Sequence, residues 1–377
     1  MSIRSRRRAA AGHPGDEGVR VMRSAVRFAR RIGLALVILA ATAGPAVAAP
    51  PTSPADVVDV PVEFRVVNVN ETAVPCAGDG RTYTIRGHLT APRHQLDGDG
   101  AITLYQHSSA SGEWYWRLPV PGYHHAYEMA ARGHASLTID RLGYDSSDVP
   151  EGAAACIGAQ ATMAHQIVQA LRRGEYRLTT GDPAPGFGKV FLAGHSNGGQ
   201  LAETAAYTFG DVDAIVLMAW SDRAISPEVL ARVAVATGQC ATGGLAHESG
   251  NGTTGYVYFD RGSAAFAADN FADTDPAVLA AAVPLQNQLP CGDLISQSPG
   301  LLLNLARAGE ITVPVLTIHG EYDRWSAGGA DALAGFVSAP EKRSIVVAGA
   351  GHLLGQSRSP ARIFDPLADW LDKYSTN

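Results

Sequence analysis

The sequence predicts an α/β fold: a doubly wound, mostly parallel sheet opened by an antiparallel hairpin. Three observations carry that expectation. Residues 62–69 and 81–89 alternate apolar and polar side chains with period two, as half-buried strands do, and a glycine-containing loop joins them. Six later runs, at 101–105, 135–139, 189–193, 214–218, 313–318 and 343–347, are short and apolar, as strands buried on both faces must be. Helical patterns separate most of these runs, and strand–helix alternation leads to parallel pairing.

Taken in order, the chain begins with a leader. Arg30 and Arg31 precede an apolar stretch at 32–43, Gly44 and Pro45 break it, and Ala46-Val47-Ala48 supplies small residues for cleavage. Residues 1–48 therefore read as a secretory signal peptide, the apolar stretch being short against the ~20 residues that span a bilayer. Initiation at Met22 would make this leader more ordinary in length. Residues 49–220 hold the first part of the core: the hairpin, the runs up to 214–218, and helices expected over 123–131, 159–173 and 199–207. Residues 221–311 break the rhythm. They show no clear strand, are rich in Gly, Ala and Asn, and carry two cysteines, so they read as a cap inserted after the sixth strand. Residues 312–377 complete the core with two strands and helices expected over 328–337 and 361–374.

Composition narrows the function. Of 377 residues 46% are hydrophobic, enough for a large core, and no long apolar run beyond the leader predicts a membrane span in the mature chain. Residues 1–49 carry nine arginines against two acids, so the remainder holds 21 basic and 34 acidic side chains. A body that acidic repels nucleic acid and anionic membranes, so neither is expected as a partner. The sequence is silent on oligomeric state. Export permits disulfides, and Cys76, Cys156, Cys240 and Cys291 admit three pairings. We expect Cys76–Cys156 and Cys240–Cys291, because the second pair falls within the one inserted stretch. No Cys-x-x-Cys or His-x-x-x-His spacing suggests a metal, and the adjacent His124 and His125 have no acid or thiol at ligand spacing. No G-x-G-x-x-G or Walker loop calls for a cofactor.

The chemistry concentrates at three places. Gly194-His195-Ser196-Asn197-Gly198 fits G-x-S-x-G and sits between an apolar strand run and a helix start. A serine on so tight a turn is lifted above the sheet edge with a helix N-terminus behind it. An unassisted serine hydroxyl is a feeble nucleophile and needs a base and an acid partner. His352 follows the last predicted strand and Asp323 the strand before it, so all three lie at carboxyl ends of parallel strands. The bland alternative is a helix-capping serine and two structural loop residues; the matching strand ends favour the catalytic reading.

With these motifs in hand, the chain from about residue 62 onward resembles the α/β-hydrolase superfamily. The resemblance rests on the serine elbow, on Gly320-Glu321-Tyr322-Asp323 and on Gly349-Ala350-Gly351-His352. Two further segments join it: Tyr105-Gln106-His107-Ser108-Ser109 and the stretch from Asp140-Arg141 to Ser146-Ser147. The resemblance implies a Ser196–His352–Asp323 triad acting on a small-molecule ester through an acyl-enzyme. It makes the backbone N–H of Asn197, with those near Ser108 and Ser109, the expected oxyanion hole. The family's common His-Gly is His107-Ser108 here. Some relatives carry the acid after the sixth strand, where Asp222 stands, and Glu321 is a third candidate. Serine at the elbow is unlike the aspartate of epoxide hydrolases and haloalkane dehalogenases. Peptidase, lactonase or perhydrolase chemistry on the same triad, and a non-catalytic binding protein, are the competing readings. Trp114 and Trp116, flanking Tyr115 beside the proposed oxyanion loop, are candidates for an apolar substrate pocket, with core packing the alternative for at least one ring.

Overall fold

The structure, a computed structural model, describes residues 56–96 and 98–375. The leader at 1–48 lies outside them. β1 (Val57–Val67) and β2 (Thr82–Pro92) form the antiparallel hairpin, with Val62, Phe64 and Val66 turned inward and the residues between them outward. Next come β3 (Ala101–Gln106), helix α1 (His125–Ala131), β4 (Ala135–Asp140), α2 (Ile157–Arg173) and a two-residue edge strand β5 (Arg177–Leu178). β6 (Lys189–His195), α3 (Asn197–Phe209) and β7 (Ala214–Met218) follow. After a long excursion, β10 (Val315–Gly320), α8 (Ala330–Leu333), β11 (Lys342–Val347) and α9 (Ala361–Ser375) close the chain. The sheet order is β11-β10-β7-β6-β3-β4-β2-β1-β5. Every pair from β4 through β3 to β11 is parallel.

Both faces of this sheet are covered, which explains the unbroken apolar runs. Val190 and Leu192 of β6 and Ile215 and Leu217 of β7 pack toward α2 and α3. Phe191, Ala193, Val216 and Met218 point the other way, into a second core with α1 and α9. On α9 the buried Ile363, Phe364, Leu367, Trp370 and Leu371 recur at helical spacing, each such side chain contributing about 1.5–3 kcal/mol.

The excursion between β7 and β10 folds into α4 (Pro227–Ala241), α5 (Ser263–Asn270), α6 (Pro276–Ala282) and α7 (Cys291–Arg307), with a small ribbon of β8 (Tyr256–Val257) and β9 (Leu289–Pro290). Strands of two residues hold too few side chains to show a period, so neither this ribbon nor β5 was legible in the sequence. The helix expected over 328–337 shrinks to Ala330–Leu333: Gly329 stands at φ +101° before it, outside helical space. Cys240 and Cys291 bridge the end of α4 to the start of α7, and Cys76–Cys156 ties the loop after β1 to the start of α2, the two pairings expected. Among the described residues, no helix is long and apolar enough to cross a membrane.

Candidate active site

Ser196 stands alone between β6 and α3 at φ 54°, ψ −123°, a conformation costly for any side-chain-bearing residue. Its own amide holds it there, donating to the Met218 carbonyl at 2.7 Å, while its carbonyl accepts from Gly199 N at 2.7 Å. The flanking glycines are steric requirements. A Cβ on Gly194 would lie 2.0 Å from the Gly198 carbonyl oxygen, and one on Gly198 would lie 2.3 Å from that of Gln106.

β10 and β11 run side by side, so the loops after them bring Asp323 and His352 together. His352 Nδ1 lies 3.0 Å from each Asp323 carboxylate oxygen. The carboxylate, fully buried, also accepts from the amides of Trp325 (2.8 Å) and Ser326 (3.2 Å) and from the Ser326 hydroxyl (3.2 Å). Burial alone would push this carboxyl up; His352 and the two amides outweigh it and hold it below the usual range. Ser196 and His352 line the same cavity. Among the described residues no hydrogen bond yet joins them, and such contacts commonly tighten only when substrate binds. Asp222 and Glu321 are turned to other work. Asp222 accepts from Trp220 Nε1 at 3.1 Å and Glu321 from the Gly349 amide at 2.9 Å.

Histidines support the site from both sides. His195 Nε2 donates to the His352 carbonyl at 2.7 Å, and its ring stacks on Tyr115 at 4.3 Å. Burial, reinforced by nearby His352, pushes His195 down to about 3, so it stays neutral at working pH. On the other side His107 Nε2 accepts from the Arg141 amide (2.9 Å), which leaves Nδ1 to donate to the Ser108 carbonyl (2.8 Å). Burial, then the Arg141 charge, holds His107 well below its ordinary value. Ser108 and Ser109 line the cavity, and Asn197, at the first position of α3, has an amide with no acceptor inside the helix. His124 accepts from the Tyr127 amide at the start of α1, and His125 is buried among Tyr105, Trp116 and Phe364.

The cavity, with the solvent at its open mouth included, takes in about 730 Å³. Its apolar walls come from Ile225 and the α4 residues Val229, Leu230 and Val233, from Leu301 of α7, and from Phe259, Trp220 and Trp325. Among the described residues, no Asp, Glu, Lys or Arg lines it. The expectation for Trp114 and Trp116 needs correction. Trp116 is fully buried between Tyr105, Tyr115 and His125, and Trp114 is held aside by a 2.8 Å hydrogen bond to Asn287. Neither reaches the cavity; Trp220, just past β7, and Trp325, two residues past Asp323, supply its tryptophans instead. Their positions at strand ends beside Asp222 and Asp323 were the signal that could have found them.

The family model of the alpha/beta hydrolase family matches residues 107–365. The fold is also similar to solved structures at low identity. An esterase from Thermogutta terrifontis is 18% identical over 83% of this chain and 100% of its own, with TM-score 0.57. An enol-lactonase from Burkholderia xenovorans LB400 is 18% identical over 77% of this chain and 97% of its own, with TM-score 0.53. A monoacylglycerol lipase from Paleococcus ferrophilus is 15% identical over 73% and 95%, with TM-score 0.52. Comparison with curated protein sequences gave no match.

Proposed function

Since the chain belongs to the alpha/beta hydrolase family, we propose that it is an exported serine hydrolase that cleaves neutral carboxylic esters through Ser196, His352 and Asp323. The observation that carries this reading is the strained Ser196 facing one cavity with a His352 ring already oriented by Asp323. His352 removes the Ser196 proton as Oγ attacks the ester carbonyl, and Asp323 fixes the imidazole tautomer and stabilises its cation. The amides of Asn197 and of the Ser108–Ser109 loop stabilise the oxyanion, each such donor being worth about 2.7–4 kcal/mol. His352 then returns the proton to the leaving alcohol, and water hydrolyses the acyl-enzyme. The absence of charged side chains around the cavity, among the described residues, favours an uncharged substrate with an apolar acyl chain. We read residues 221–311 as the cap, with α4 and α7 as its contribution to the walls. Two disulfides suit an exported protein and the leader read at 1–48.

Labelling with a fluorophosphonate probe tests the reading. Wild type labels and Ser196→Ala does not; equal labelling of both would remove Ser196 from its role.

A further inference from the structure

Behind the loop of Ser108 and Ser109 lies an ion pair shut off from solvent. The Arg141 side chain, just past β4, is 1% exposed, and its Nη1 donates at 3.0 Å to Asp293, 0% exposed in the first turn of α7. Such pairs are costly to desolvate and are weak evidence of stability, so this one asks for another reason. Its remaining hydrogen bonds supply one. Nη2 donates to Asn197 Oδ1 at 2.9 Å and to the Tyr144 hydroxyl at 3.1 Å, and makes a longer contact of 3.5 Å with the Ser108 carbonyl. The Arg141 amide fixes the tautomer of His107, whose Nδ1 donates to that same carbonyl. In a trans peptide the N–H points opposite the C=O. Drawing the Ser108 carbonyl toward Arg141 and His107 therefore turns the Ser109 amide the other way. The second expected donor, the Asn197 amide, belongs to the residue whose side chain Arg141 also grips.

We propose that Arg141 is a positioning residue for the oxyanion side of the site, anchored by Asp293, which fixes the directions of the Ser109 and Asn197 amides together. This rests on the reading of Ser196 as nucleophile. It also gives the inserted segment a part in turnover: Cys291, two residues before Asp293, is bonded to Cys240 at the end of α4. The part of the chain that walls the cavity and the clamp on the oxyanion side thus share one attachment.

Arg141→Lys keeps the charge but loses the planar fork that reaches several acceptors, and Asp293→Asn keeps the size but loses the counter-charge. With folding verified by circular dichroism, each is expected to lower kcat about 10- to 100-fold on p-nitrophenyl butyrate. KM stays within about threefold, because ground-state binding does not use the oxyanion donors. Affinity for a trifluoromethyl ketone, which forms an oxyanion on addition, falls in proportion to kcat/KM. A folded variant with wild-type kcat, or a loss confined to KM, overturns the proposal; if Arg141→Lys does not fold, Asp293→Asn decides it. Ser196→Ala runs alongside. Turnover surviving there overturns the underlying reading and this one with it, so the two failures are told apart.

Discussion

Replacing Asp323 with asparagine tests the geometry of the acid. One carboxylate oxygen takes both the Trp325 and Ser326 amides, at 2.8 and 3.2 Å, so the new amide will keep its own oxygen there. The nitrogen then takes the place of the other oxygen, so His352 Nδ1, 3.0 Å from both positions, meets one acceptor and one N–H where it had two acceptors. That N–H favours the tautomer with its proton on Nε2, which cannot accept the Ser196 proton, and the charge that stabilises the imidazolium is lost whichever tautomer forms. The size of the side chain is unchanged and most of its local contacts survive, so the protein is expected to fold. Loss of the correct tautomer costs about 10⁴-fold in kcat, roughly 5 kcal/mol at the transition state. Initial rates on p-nitrophenyl butyrate, with circular dichroism to verify the fold, measure it. A folded Asp323→Asn retaining more than a tenth of wild-type kcat refutes the argument and transfers the acid's role elsewhere, although neither Asp222 nor Glu321 is bonded to His352.

Other expectations follow from the same contacts. Lengthening the acyl chain of p-nitrophenyl esters from acetate to butyrate to hexanoate should raise kcat/KM about fourfold per methylene, the worth of about 0.8 kcal/mol of burial, until the apolar cavity is filled. A flat series would mean that the acyl group lies outside it. His195→Phe retains the stack on Tyr115 but leaves the His352 carbonyl with the Leu354 amide (2.9 Å) alone, a loss of about 0.5–1.5 kcal/mol, and should lower both the melting temperature and kcat; unchanged kcat would show that the bond does not position His352. Glu203 of α3 is fully buried beside Asp222, so burial, then the neighbouring carboxylate, raises it well above the ordinary 4.5. Asp222, also raised chiefly by burial, reaches about 6. A raised acid favours the fold while protonated: that stability is whole below the ordinary carboxylate range and is lost as pH climbs through the folded value. Glu203→Gln should therefore lessen the fall in melting temperature between pH 5 and 9, and an unaltered slope would acquit the pair.

Much of this was legible in the sequence because burial on both sheet faces leaves a plain signature. Residues 214–218 were bounded by polarity alone, and the apolar runs put Ser196, Asp323 and His352 just past the carboxyl ends of three parallel strands, where they stand. What escaped was decided by contacts across long separations. The spacing of Trp114 and Trp116 could not say that Tyr105 and His125 would bury one and Asn287 hold the other aside. Nor does any local pattern in α4 reveal that Val229 and Val233 face the cavity, since the helix is apolar on more than one side. The clamp between Arg141 and Asp293 joins residues 152 positions apart and was likewise invisible.

On the role proposed for Ser196, durability and turnover pull against each other at that position. The turn that presents the hydroxyl suits glycine better than any other residue, and relieving a conformation of this kind returns about 1–3 kcal/mol, less up to about 1 kcal/mol for the looser unfolded chain. A Ser196→Gly protein should therefore outlast the wild type, and a screen for heat resistance that ignored activity would drift toward discarding the proposed nucleophile.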